Sequence, residues 1–85
     1  MNNKKTNYIT TLNNINLDTE CYVKNINAEG PIQRRFLDLG LINGTTILPI
    51  SKSPSGDPIA YLIRGTVIAI RSEDASKIVV ETVQN

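Results

Sequence analysis

Residues 43–71 read NGTTILPISKSPSGDPIAYLIRGTVIAIR, and this stretch decides the fold. Its apolar positions fall largely with period two and its interruptions are turn residues, so it reads as strands joined by tight connections. Residues 45–51 form one strand, in which Pro49 has no N–H for a ladder and therefore belongs at an edge or a bulge. Ser53-Pro54-Ser55-Gly56 has proline second and glycine fourth, the pattern of a type I turn, and Asp57-Pro58 extends the break. Residues 59–64 and 66–71 are two further strands on either side of Gly65, spaced for a tight hairpin.

Upstream, Gly30 and Pro31 open a helix that runs to about Leu39, because proline at the first helical position lacks only a donor that has no partner there. Ile32, Phe36 and Leu39 share one face, Arg34 and Asp38 can pair on the other, and Gly40 suits a left-handed cap. So short a helix persists only if packing holds it. Residues 20–28 read as a strand with Cys21 and Val23 on one face. Ile26 falls out of step, which predicts a bulge near Lys24-Asn25. Downstream, residues 72–77 give one helical turn with Ser72 as its cap, and residues 78–83 a closing strand with Ile78 and Val80 inward. Residues 1–10, rich in Asn and Thr and without an apolar period, are expected to be a flexible tail. Residues 11–85 are expected to form a single domain.

Five short strands with this much Ile and Val cannot leave one sheet face in water and bury the rest. Curling into a small barrel removes most of the exposed edge and encloses one core. The expected fold is mainly β: a small SH3-like β-barrel with one short inserted helix and a one-turn helix before the last strand. An OB-fold, which wants longer strands, ranks second.

Composition narrows the chemistry. The chain has 85 residues, 9 basic and 8 acidic, for a net charge of +1, which lacks the electrostatic footprint of nucleic-acid or anionic-membrane binding. One cysteine and no histidine exclude an internal disulfide and a Cys/His zinc site within one chain, and remove the commonest general base. No catalytic residue, metal ligand or cofactor is assigned. Residues 1–14 lack the apolar stretch of a signal peptide and no run approaches the roughly 18 apolar residues of a membrane span, so a cytoplasmic protein is expected.

The glycines Gly40, Gly44 and Gly56 match no phosphate-loop pattern and read as turn residues. Asp38, Asp57, Glu73 and Asp74 read as caps and surface charge, and Cys21 beside Val23 as a buried apolar thiol. Arg34, Arg35, Arg64, Arg71, Lys24 and Lys52 read as solvated faces, since the few aromatics are too scattered for a base-stacking platform. One feature resists this reading. Between residues 59 and 71 both strand faces are apolar, with Ile59, Tyr61 and Ile63 alternating with Ala60 and Leu62, and Ile68 and Ile70 with Val67 and Ala69. A barrel this small has one interior, so the surplus face points to a protein contact.

Phe36-Leu37-Asp38-Leu39-Gly40-Leu41, then Gly44-Thr45, Pro54-Ser55-Gly56-Asp57-Pro58, Arg64-Gly65, Ala69-Ile70-Arg71 and Ala75 form an ordered set of short motifs. In this order and spacing the chain resembles the FeoA family, small cytosolic accessory proteins of bacterial ferrous iron transport. Ile70 replaces a usual leucine, and Pro49 interrupts a strand normally free of proline. The resemblance implies an SH3-like barrel with an inserted helix and a partner, FeoB, a membrane iron transporter with a cytosolic GTP-binding domain. It implies a non-enzymatic adaptor docking on the cytosolic side of FeoB, peripheral to the inner face of the membrane through that partner. Leu37, Leu39, Leu41, Pro54, Gly56, Asp57, Pro58, Arg64 and Arg71 are the candidate partner-binding residues, and Gly30, Pro31, Gly40, Gly44 and Gly65 the turn and cap residues. The two-proline loop either presents a rigid surface or simply makes its turn. Arg64 and Arg71 anchor carboxylates within the fold or on a partner. Self-association stays open, and the competing reading is a detached regulatory module like the SH3-like domain of iron-dependent repressors.

Overall fold

The computed structural model describes residues 6–84. They form strands β1 (Thr6–Thr11), β2 (Cys21–Ile26), β3 (Thr46–Lys52), β4 (Ile59–Ile63), β5 (Thr66–Ile70) and β6 (Ile78–Gln84). Helix α1 (Gly30–Asp38) is inserted between β2 and β3, the one-turn helix α2 (Ser72–Ala75) precedes β6, and a 3-10 turn spans Leu12–Asn14. The strands make one sheet in the order β1-β6-β2-β3-β4-β5, with antiparallel neighbours throughout.

The mainly β class and both helices are as the sequence predicts, but there are six strands, not five. Residues 6–10, expected in a flexible tail, belong to β1, which pairs with β6 from Thr6↔Gln84 to Thr11↔Val79. Thr and Ile in TNYITT suit a pleated surface, yet the strand shows no apolar stripe and its partner lies at the far end of the chain. Local pattern cannot report such a pairing. Residues 1–5 of the expected tail lie outside the described residues.

The irregularities fall where the sequence puts them. The β2–β6 register shifts between Val23 and Asn25, the predicted bulge. Pro49 meets both of its conditions together. β2 pairs with β3 only at Ile47 and Thr46, so at Pro49 that side carries no ladder, and the β3–β4 register shifts between Pro49 and Ser51. The Ser53–Gly56 turn closes with the Gly56 N–H donating to Ser53 O at 2.8 Å.

The core draws Leu12 and Ile15 from the 3-10 turn region, Cys21 and Val23 from β2, and Ile47, Tyr61, Ile63, Ile70, Ile78 and Val80 from the other strands. Helix α1 contributes Phe36, whose full burial is worth about 1.5–3 kcal/mol and holds this short helix to the sheet. Ile32 and Leu39 flank it, partly buried, as the helical spacing predicts.

The end of α1 is a Schellman turn. The Gly40 N–H donates to Leu37 O at 2.9 Å, the Leu41 N–H donates to Phe36 O at 3.0 Å, and Gly40 takes φ +86°. This reversal turns Leu41 back beside the helix and buries it completely. Leu41 is therefore a core residue, and its candidacy for partner contact is corrected. Thr45 fastens the same loop: its hydroxyl donates to Gly40 O at 2.8 Å and accepts the Ile42 N–H at 3.1 Å.

Two local expectations change as well. Ser72 does not cap α2. Its N–H donates to the Asp57 carboxylate at 2.7 Å, so the free end of α2 is satisfied from the β3–β4 loop. Arg35, not Arg34, carries the ion pair of α1, to Asp74 on α2 at 3.4 Å; being largely exposed, it adds at most a few tenths of a kcal/mol.

Candidate partner-contact site

The β4–β5 hairpin organises the surface. Its two-residue turn, Arg64-Gly65, has φ +51° and +82°, the type I′ geometry whose twist matches the flanking strands. Gly65 fits that turn and an arginine does not: a side chain at φ +51° costs on the order of 1 kcal/mol or more, and Asn or Gly would be easier there. Arg64 then reaches back over the end of α1. A Cβ added to Gly40 would collide with Arg64 Cδ, so Gly40 serves twice, once for the left-handed cap and once for room under the arginine stem.

The helix motif around Gly40 and the hairpin motif Arg64-Gly65, far apart in sequence, thus meet. Between them runs an open groove whose walls are Asp38, Leu39, Gly40 and Ile42 on one side and Ile63, Arg64, Thr66 and Ile68 on the other. Ile42 is 54% exposed at its rim. The second group of candidates meets at the opposite end of β5. There Asp57 holds Ser72 next to Arg71, while Pro54 and Gly56 stand exposed in the same loop as half-buried Pro58. Leu37 belongs to neither group; it lies on the outer face of α1, 52% exposed. Gly30 and Pro31 are the first two residues of α1, and Gly44, at φ +93°, lies in the loop between α1 and β3.

The surplus apolar face of the hairpin is on the outside. Ile59, Tyr61, Ile63 and Ile70 point into the core, and on the other face Leu62 (37% exposed) stands opposite Val67 (58% exposed) and Ala60 opposite Ala69. Register also brings Leu48 of β3 beside Leu62, which lengthens the row to three strands. Sequence reasoning missed Leu48, Ile42 and Thr45. Thr45 was visible in the Gly44-Thr45 motif; Leu48 and Ile42 needed the register and the Schellman turn.

Two buried titratable groups, Cys21 and Tyr61, are held in their neutral forms. The Cys21 thiol lies in the core, donates to Ile47 O at 3.5 Å, and is pushed from 9.0 up to about 12, first by burial and then by the charge of Glu20. Burial, followed by Cys21 and Asp57, likewise pushes Tyr61 up to about 12. Both stay neutral and serve the interior. Among the described residues, no three His, Cys, Asp or Glu side chains gather as a metal site, and no helix is long and apolar enough to cross a membrane.

An antiparallel sheet with a helix inserted early and a single turn before its last strand defines a small mainly β domain of the SH3-like kind. Comparison with known proteins gives the family. Residues 10–82 match the FeoA domain, and the chain belongs to the FeoA family. An FeoA-like protein from Clostridium acetobutylicum is 32% identical, with TM-score 0.82 over 91% of this chain and 90% of that one. The Stenotrophomonas maltophilia FeoA solved with zinc, described as an unusual prokaryotic SH3 domain protein, is 29% identical, with TM-score 0.75 over 84% of this chain and 88% of that one. An Fe(2+) transport protein A/Fe(2+) transporter FeoB fusion protein of Porphyromonas gingivalis is 28% identical over 74 residues, 87% of this chain. The chain spans only 9% of the length of that fusion protein.

Proposed function

We propose that this protein is a non-enzymatic accessory domain of ferrous iron uptake that docks on the cytosolic side of a FeoB-type transporter and modulates its assembly or activity. The observation that carries the reading is the Porphyromonas relative, in which a domain like this one shares a chain with FeoB. Covalent linkage raises the effective concentration of two modules that must meet, so a fusion supports a working contact between its parts. The surface fits such a role. The Leu48–Leu62–Val67 row and the groove beside Gly40 offer apolar contact, the groove rimmed by Arg64 and Asp38, and an apolar centre with a polar rim is common at protein interfaces. Residues 6–84 act as one binding unit in this reading, which operates in the cytoplasm at the inner face of the membrane. Leu39, Arg64 and Arg71 are its foremost contact residues, and the two-proline loop serves mainly as a scaffold through Asp57.

The test is direct. The soluble cytosolic domain of the FeoB-type transporter from the same organism should be retained by this protein in a pull-down. Deletion of the protein's gene should reduce ferrous iron uptake. Absence of binding together with unimpaired uptake would sink the proposal.

A further inference from the structure

Among the described residues, β5 pairs with β4 on one side only. Its hairpin shows which backbone groups remain open. Ile63 and Thr66 close a two-residue turn as a hydrogen-bonded pair, so by alternation Tyr61/Ile68 and Ile59/Ile70 are bonded pairs too. Val67 and Ala69 therefore turn their N–H and C=O groups away from β4. Nothing in TVIAI discourages pairing: it holds no lysine, no proline and no bulge. The inner side of this edge opens on the groove at Leu39, Ile42 and Ile68, and the outer side continues the apolar row. An arginine stands at each end. Arg64 and Arg71 are both exposed, and neither makes an ion pair among the described residues.

We propose that the free edge of β5 is a strand-addition site for an extended segment of a protein partner, apolar at alternate positions and acidic at both ends of the paired stretch. The inference rests on the docking reading above and names the surface that does the docking. Main-chain bonds to Val67 and Ala69 supply affinity, and side chains on alternate positions enter the groove or cover Val67 and Leu62. The two guanidiniums fix register, since Arg64 and Arg71 are seven positions apart (71 minus 64) and an antiparallel segment sets its carboxylates at the same spacing. The strained backbone at Arg64 then has a purpose, because it holds a cation where a plain turn would take Asn or Gly. A second copy of this chain fits the edge less well. Antiparallel self-pairing centred on Ile68 would bring Arg71 of one copy opposite Gly65 and beside Arg64 of the other, like charge against like.

The probe is a synthetic peptide, Glu-Thr-Val-Thr-Val-Thr-Val-Glu, and a control with lysine at both ends, titrated into the 15N-labelled full chain. The acidic peptide should shift and protect the amides of Val67 and Ala69 and perturb Leu39 and Ile42; the lysine peptide should bind at least tenfold more weakly. Ala69→Pro removes only an outward N–H and should weaken the acidic peptide at least tenfold while the rest of the spectrum stays native. The double variant Arg64→Glu/Arg71→Glu, which leaves the edge backbone intact, should do the same and carries the test if the proline variant does not fold. Equal binding of both peptides, or shifts confined to β1, overturns the proposal. The cytosolic domain of the transporter separates the two levels. If the wild-type chain binds it and both variants bind it undiminished, the edge is not the docking surface although docking stands; if the wild-type chain does not bind it and iron uptake is unimpaired without the protein, the docking reading itself falls. A wild-type dimer in sedimentation that Ala69→Pro dissolves would assign the edge to a second copy and overturn the proposal.

Discussion

β1 and β5 are the two margins of one sheet, and they are finished in different ways. β1 is mostly Thr and Asn, and its end is tied down locally: Asn14 donates to the Thr10 and Thr11 hydroxyls at 3.1 Å each, and Thr11 donates to Asn13 at 2.6 Å. β5 has no such side-chain network among the described residues; it is apolar on its outer face and bracketed by exposed arginines. β1 also exposes Tyr8 and Ile9, so what separates the two margins is the side-chain tether at one end of β1 and the arginines at both ends of β5. The difference teaches that the sheet has one margin tethered at its end and one flanked by cations, and the experiments below break or sharpen that contrast.

The largest effect is expected from proline placed one residue apart on β5. Ile68→Pro deletes an N–H bonded to β4 and should cost about 3 kcal/mol or more, enough to unfold much of a chain this small, whereas Ala69→Pro should cost less than about 1 kcal/mol. Urea titration followed by circular dichroism compares them; equal costs would mean that the hairpin register is not the one described. Removal of residues 1–10 comes next. A flexible tail would leave the melting temperature unchanged, but β1 pairs along its whole length, so the midpoint should fall by on the order of 10 °C in calorimetry.

Between the margins, the interior predicts an alkaline limit. Cys21 and Tyr61 are raised from 9.0 and 10.0 to about 12 by burial, so the folded state keeps protons that the unfolded chain releases. Their contribution is complete below about pH 9 and is lost as pH rises toward 12, with none lost on the acid side. In Cys21→Ala the decline of the melting temperature should begin about one pH unit later, where Tyr61 alone takes over. The smallest effect is a gain. Arg64→Asn relaxes the backbone at φ +51° and should stabilise the fold by about 0.5 kcal/mol while weakening partner binding. Loss of stability would mean that the contact with Gly40 outweighs the strain.

Much of this was legible beforehand because the responsible physics is local. The bulge near Lys24-Asn25 follows from one residue out of step, the helix from Pro31 and the spacing of Ile32, Phe36 and Leu39, and the hairpin from Gly65. What escaped was set by distant contacts. β1 is recognisable only through β6, the α2 terminus is satisfied by Asp57 from another loop, and Leu41 looks like a surface leucine until the Schellman turn swings it inward. The candidate site divides along the same line. Its motifs were readable as family marks, but their assembly into two groups at the ends of β5 depends on Arg64 lying over Gly40 and Asp57 reaching Ser72.

The pairing of Thr6 with Gln84 has a mechanical consequence. The chain enters and leaves the sheet at one corner, on adjacent antiparallel strands. A load applied to both ends would open β1 from β6 in succession, one bond at a time, rather than shear the whole ladder at once. A neighbour joined to either end would instead hold the domain at that corner as at a pivot. β5 then lies at the far margin, four strands away, and is the part left free to swing toward whatever stands opposite.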